Sequence, residues 1–146
     1  MTLSLHSTDL PCACGAIRKA NRAISRFYDE ALSKAGLTAN QFSVLWNLSS
    51  QRDIPLSRLA ETMVMDRTSL YRVLNPLIRQ NLIEIRAAER GRAKLASLTP
   101  SGRERLDEAM PHWTRVQERI VAPFGPERWK ELEAALRALA APAAQD

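Results

Sequence analysis

Apolar residues first recur along the chain at three- and four-residue steps. Ile17, Ala20, Ile24, Phe27, Tyr28, Ala31 and Leu32 share one face of a long amphipathic helix. Gly36 is a natural stop for it. Thr38-Ala39-Asn40-Gln41 has the residue types of a capping box, so a second helix is expected, with Phe42, Leu45, Trp46 and Leu48 facing inward. A polar loop covers Ser49 to Asp53. Leu56 to Met63 then supplies about two helical turns. After the brief Val64-Met65 link, Asp66 suits the N-cap of a further helix with Leu70, Val73, Leu74, Leu77 and Ile78 on one face. Pro76 removes one backbone hydrogen bond inside that helix and should bend its last turns, while Asn81 suits a left-handed cap after it.

The period then changes from helical to alternating. Ile83-Glu84-Ile85-Arg86 reads as a strand, Lys94 to Leu98 as its return partner, and Ala87 to Arg92 as a loop whose Gly91 permits the turn. Thr99-Pro100 caps and starts another helix, carrying Leu106, Ala109, Met110, Trp113, Val116 and Ile120. Pro123 breaks it, and Gly125-Pro126 opens a last helix with Trp129, Leu132, Leu136 and Leu139 at regular spacing. The Ala-rich end from Ala140 to Asp146 is expected to fray. No internal repeat is visible.

The predicted order is two helices, a tight helix pair, a hairpin and two more helices. Helix, short turn, helix and two-stranded hairpin is the winged helix-turn-helix arrangement. The expected fold is therefore mainly α with a small β-hairpin wing. Length agrees: 146 residues form one domain with a real core and are too few for two ordinary ones. Within the single domain 1–146, residues 38–98 are expected to form the winged lobe. Residues 10–35 and 100–140 are expected to form a helical dimerisation region, because the apolar stripes of the terminal helices are large for so small a lobe.

Charge adds a direction to this layout. Between Leu56 and Arg105 lie ten Lys or Arg and five acids, leaving eleven of each sign elsewhere from totals of 21 and 16. The excess of five positive charges thus sits in the middle third, as expected of a polyanion-binding module on a neutral scaffold. Burying the aliphatic face of the helix after Asp66 leaves Arg67, Thr68, Ser69, Tyr71, Arg72 and Asn75 outward. These side chains can meet base edges and phosphates in a major groove wide enough for one helix. Arg90, Arg92 and Lys94 fit a wing beside the adjacent minor groove. Asp66 reads as a cap, and Arg79 and Arg86, at element ends, as structural or phosphate-facing. Double-stranded DNA is the expected partner.

Other chemistry is sparse. His6 and His112 are the sole histidines, the carboxylates are scattered, and neither a phosphate-binding glycine loop nor a nucleophile motif occurs, so an enzyme is not expected. No cofactor is expected. No run of eighteen apolar residues is present, so no membrane span is expected. The first residues lack the basic and apolar regions of a signal peptide, which points to a cytoplasmic protein.

Four segments together resemble the MarR family of bacterial regulators: Leu37 to Leu45, Leu56 to Ala60, Met65 to Leu74, and Leu98-Thr99-Pro100-Ser101-Gly102. The resemblance runs from about Leu10 to Leu139. It implies a homodimer whose first helix and last two helices interlock. Two winged lobes would bind a pseudo-palindromic site, usually repressing nearby genes until a small ligand or an oxidant releases them. The family's wing commonly carries Asp-x-Arg-Asp-Arg-Arg, and here Ala87 to Arg92 lacks the leading aspartate while Arg92 holds the last arginine.

Two triggers follow as expectations. Cys12 and Cys14 stand at the start of the first helix, where the helix dipole favours negative charge. The family's organic-hydroperoxide regulators place a reactive cysteine here with a tyrosine fourteen residues on, as Tyr28 follows Cys14; two further tyrosines of those sensors correspond to Arg18 and Ala39. The alternatives are an inert thiol pair, a redox sensor, or a metal site for which Cys12, Cys14 and His6 supply too few ligands. A disulfide within Cys-x-Cys would be strained, so oxidation should give a sulfenic acid or a bond between subunits. The second trigger is a small aromatic acid between dimer helices and DNA lobe, lined by Arg18, Arg22, Tyr28, Trp46 and His112.

Overall fold

A computed structural model describes residues 11–141. His6 and the terminal residues 142–146 lie outside the described residues, as does the start of the 10–35 segment. The first helix, α1, spans Ala13–Leu32 and passes through a 3-10 turn, Ser33–Ala35, into Gly36 at φ 69°. A left-handed residue is needed there to reverse the chain, and glycine takes that conformation without a Cβ clash. Helix α2, Ala39–Ser49, starts at the predicted capping box. Gln41 N–H donates to Thr38 Oγ1 at 3.2 Å and Thr38 N–H donates to Gln41 Oε1 at 3.0 Å.

Strand β1, Ile54–Pro55, leads directly into α3, Leu56–Met63. Helix α4, Arg67–Arg79, follows after Val64 and Met65. Its start is fixed by Asp66, and its end by Asn81, which takes the left-handed conformation at φ 57°. Strands β2, Ile83–Ala87, and β3, Lys94–Leu98, form the hairpin with Ile85 opposite Ala96. Helix α5, Pro100–Val121, and helix α6, Pro126–Ala140, complete the chain.

The hairpin has a third strand that the alternation did not predict. β1 pairs antiparallel with β3, giving the order β1-β3-β2. Two residues are too short to show a period, and Pro55 reads locally as a helix start, so the sequence carries no strand signal there.

The core lies under the winged lobe. Leu45, Leu48, Leu59, Leu70, Leu74, Leu77 and Ile83 are buried together, and truncating such a leucine to alanine costs about 2–5 kcal/mol. Two inward assignments require correction. Trp46 is 50% exposed and Val44 is buried in its place. On α4, Leu70, Leu74 and Leu77 are buried and Val73 is partly so, whereas Ile78 is 38% exposed. A stripe at positions 70, 74 and 77 already fills one helix face, and residue 78 is rotated about 100° from residue 77.

Candidate nucleic-acid interface

Helix α4 is presented by its cap and its buried face. Asp66 accepts the Ser69 N–H at 2.8 Å and the Ser69 hydroxyl at 2.8 Å. These bonds hold the Asp66 carboxyl below its usual value of 3.8. Asp66 is therefore a cap, as expected, and the Ser69 hydroxyl proton is committed to it. With Leu70, Leu74 and Leu77 inside, Thr68, Arg72 and Asn75 form an exposed row at four- and three-residue spacing. Arg67 and Tyr71 form the flanking row, and the Arg67 guanidinium lies over the Tyr71 ring, 5.9 Å from its centre. That cation–π contact restrains two long side chains that would otherwise lose more rotamer freedom on binding.

The flanking row faces the wing. Arg67, Tyr71, Arg92 and Lys94 line one cleft of about 340 Å³, floored by Leu56, Ala60 and Leu70. Ser57, in the first turn of α3, lines it too. Sequence reading missed Ser57, although a hydroxyl opening the first helix of a helix-turn-helix pair is a legible signal for a phosphate contact. Lys94 is the first residue of β3, opposite Ala87, and Gly91 turns the loop at φ 82°. Arg90 is exposed in the same loop and does not line the cleft. Arg86, read as structural or phosphate-facing, donates to Asp53 at 2.6 Å.

The two candidate triggers are placed differently. Cys12 is the N-cap residue of α1 and Cys14 lies in its first turn; both are exposed free thiols. Tyr28 stands fourteen residues after Cys14 on the same helix, about 21 Å along the axis, so the two do not meet within one chain. The Tyr28 hydroxyl instead donates to Gln117 Oε1 of α5, and burial raises its pKa.

The five residues assigned to a ligand pocket are not gathered in one cavity. Tyr28, Phe42 and Trp113 line a small cavity of about 160 Å³. Trp46 stacks against Phe42 and Trp113, with ring centres 6.2 Å from each. His112 lines a different depression, with Lys34, Arg115 and Arg119. Arg18 and Arg22 are exposed on the first half of α1. Among the described residues no cluster of three or more His, Cys, Asp or Glu is placed to hold a metal ion.

Comparison with known proteins joins this geometry to a family. The sequence profile described as MarR family matches residues 37–90. The chain is also 34% identical to the M. tuberculosis transcriptional regulator MosR, seen in complex with DNA; the match covers 93% of this chain and 100% of that one, with a TM-score of 0.81. The chain belongs to the MarR family. Its fold is that of a MarR-family transcriptional regulator, and MarR relatives are regulators rather than enzymes. AbsC, a MarR family transcriptional regulator from Streptomyces coelicolor, is 26% identical over 92% of this chain and 94% of its own, with a TM-score of 0.80. A mutant MarR from E. coli, complexed with operator DNA, shares the fold at 21% identity over 86% of this chain and 91% of that one, with a TM-score of 0.77. No curated protein matches by sequence. No described helix is long and apolar enough to cross a membrane.

Proposed function

We propose that this MarR-family chain binds duplex DNA as a homodimer on a pseudo-palindromic operator and represses transcription until a small ligand or cysteine oxidation releases it. The observation that carries the reading is the shared cleft of Arg67, Tyr71, Arg92 and Lys94, bordered by the exposed row Thr68, Arg72 and Asn75. In this reading residues 38–98 are the DNA-binding lobe, with α4 in the major groove. Thr68, Arg72 and Asn75 address base edges, and Arg90, Arg92 and Lys94 reach the flanking groove and phosphates. MosR and E. coli MarR, both seen on DNA, support DNA as the partner.

The dimer reading assigns residues 10–35 and 100–140 to the partner contact. It is supported by apolar side chains left open on a single chain: Ile17, Ile24, Phe27, Leu136 and Leu139 are 37–61% exposed, and α6 buries no residue. Two lobes one helical turn apart would read two half-sites. Selecting bound fragments from genomic DNA tests this. The expected result is one recurrent palindromic motif, two chains per site and an affinity at least about 10³-fold above random duplex. Recovery of fragments without a common motif would instead make the protein an architectural DNA binder, and binding with little salt dependence would make it a winged-helix module for protein partners.

Oxidation as trigger is supported by the exposure of both thiols at the α1 start, where an oxidant can reach them to give a sulfenic acid or an intersubunit bond. Cys14→Ser is expected to retain operator binding in peroxide that releases the unmodified protein. Equal release of both would end the oxidation reading. A ligand trigger is supported by the half-exposed Trp46 ring stacked on Phe42 and Trp113, an aromatic surface open to a flat ligand.

A further inference from the structure

Three of the four ion pairs among the described residues join neighbours one helical turn apart: Arg105–Glu108, Lys130–Glu127 and Arg137–Glu133. The fourth joins separate elements. Arg86 Nη2 donates to Asp53 Oδ2 at 2.6 Å, between residues 33 positions apart in the sequence. Its place in the sheet gives it a task. β3 is the middle strand, and Leu95 of β3 has Pro55 of β1 on one side and Arg86 of β2 on the other. The pair therefore reaches over the middle strand and ties the outer strand of the wing to the residue that leads into β1 and α3.

Arg86 stands on the last rung where the sheet has three strands, and Asp53 lies two residues before that rung's Pro55. β1 ends at Pro55, so beyond Leu95 the wing continues as a two-stranded ribbon, held by the Ala87–Lys94 pairing and by Ala88 N–H to Ala93 O at 2.9 Å. Such a ribbon is marginally stable by itself. β2 ends at Ala87 and Ala88 bonds Ala93, so about 7 Å of ribbon separates Arg86 from the turn over residues 89–92, and a tilt at the root is carried directly to Arg92. A tilt of roughly 10° moves the end of that ribbon by about 1 Å, enough to stretch a hydrogen bond of about 2.9 Å past its working range.

We propose that Asp53 and Arg86 are a positioning pair that aims the wing, keeping Arg92 and Lys94 beside Arg67 and Tyr71. The inference rests on the reading of the wing as a DNA contact. The pair withdraws Arg86 from phosphate: its task is internal to the protein. Being exposed, the pair adds little to global stability, so its loss acts on the wing and leaves the melting temperature nearly unchanged.

The test uses the full chain with Asp53→Ala, Arg86→Ala, the charge-swapped pair Asp53→Arg/Arg86→Asp, and each alanine variant combined with Arg92→Ala. Two quantities are read: hydrogen exchange of the wing amides at residues 87–93 in free protein, and affinity for a selected operator. Each alanine variant is expected to raise wing exchange and to lower affinity about fivefold, with the charge swap restoring both. In the Arg92→Ala background neither alanine should lower affinity more than about twofold further, because one of the two contacts being aimed is already gone. Unchanged wing exchange would overturn the proposal, as would losses that multiply with that of Arg92→Ala. A salt slope reduced by about one further unit when Arg86→Ala is added to Arg92→Ala would also overturn it, since that marks a direct phosphate contact. If Arg92→Ala alone leaves affinity intact, the wing's role in DNA binding fails, and wing exchange still decides whether the pair holds the hairpin.

Discussion

The carboxylate of Asp66 does its work through charge as well as geometry. Two hydrogen bonds from Ser69 stabilise its ionised form, and the carboxyl is thereby held below 3.8. A depressed folded-state pKa means stability that is present above the unfolded value and is lost as pH falls through the folded one. Asp66→Ala is therefore expected to lower the urea midpoint at neutral pH, and the gap to the unmodified protein should narrow once the pH drops below about 4. Urea titrations at neutral pH and at pH about 3 read this directly; a gap independent of pH would contradict it. The residue was legible from sequence because caps obey local rules. The commitment of the Ser69 hydroxyl to that cap was not legible, since Ser69 also lies on the outward side of the helix and either use was open to it.

At the scale of elements, the joints between helices and strands decide where the outward faces point. Thr99 couples the end of α4 to the start of α5: its hydroxyl donates to Asn81 C=O at 2.6 Å and accepts the Gly102 N–H at 3.0 Å. Gly102 packs so closely that a Cβ there would stand 2.0 Å from the Leu82 carbonyl oxygen. The obstacle is backbone, which cannot swing aside. Gly102→Ala is expected to destabilise the protein by about 2–4 kcal/mol, visible as a lowered thermal midpoint, whereas Gly91→Ala should cost less because its Cβ would meet open space and only the positive φ opposes it. Equal midpoints for the Gly102 variant and the parent would contradict the tight joint.

Long periodic elements were the most legible. The capping box, the Asp66 cap and the left-handed Gly36 and Asn81 stand where turn chemistry puts them. β1 was hidden by its shortness. Trp46 was misjudged because helical periodicity does not distinguish a ring that faces the core from one that stacks on the core's edge, as Trp46 does on Phe42 and Trp113.

For the whole molecule, two separate regions carry what a single chain leaves unused. The terminal helices hold apolar stripes without a cover, and the lobe between them holds the excess positive charge with outward hydroxyl, amide and guanidinium groups. The first pattern fits a partner copy and the second fits a polyanion whose bases are read. That the charge lay in the middle third was visible in the sequence. That the cations of α4 and the wing converge was not, because Arg67 and Arg92 are brought to one cleft only by the folded hairpin.

The central claim is that α4 reads sequence while the wing supplies general attraction. Dissociation constants of Arg72→Ala and Arg92→Ala, measured on a selected operator and on a scrambled duplex at fixed salt, test it most directly. Arg72→Ala is predicted to lose about tenfold on the operator and little on the scrambled duplex, and Arg92→Ala to lose similarly on both with a salt slope lower by about one. Equal losses for both variants on both duplexes would contradict the account.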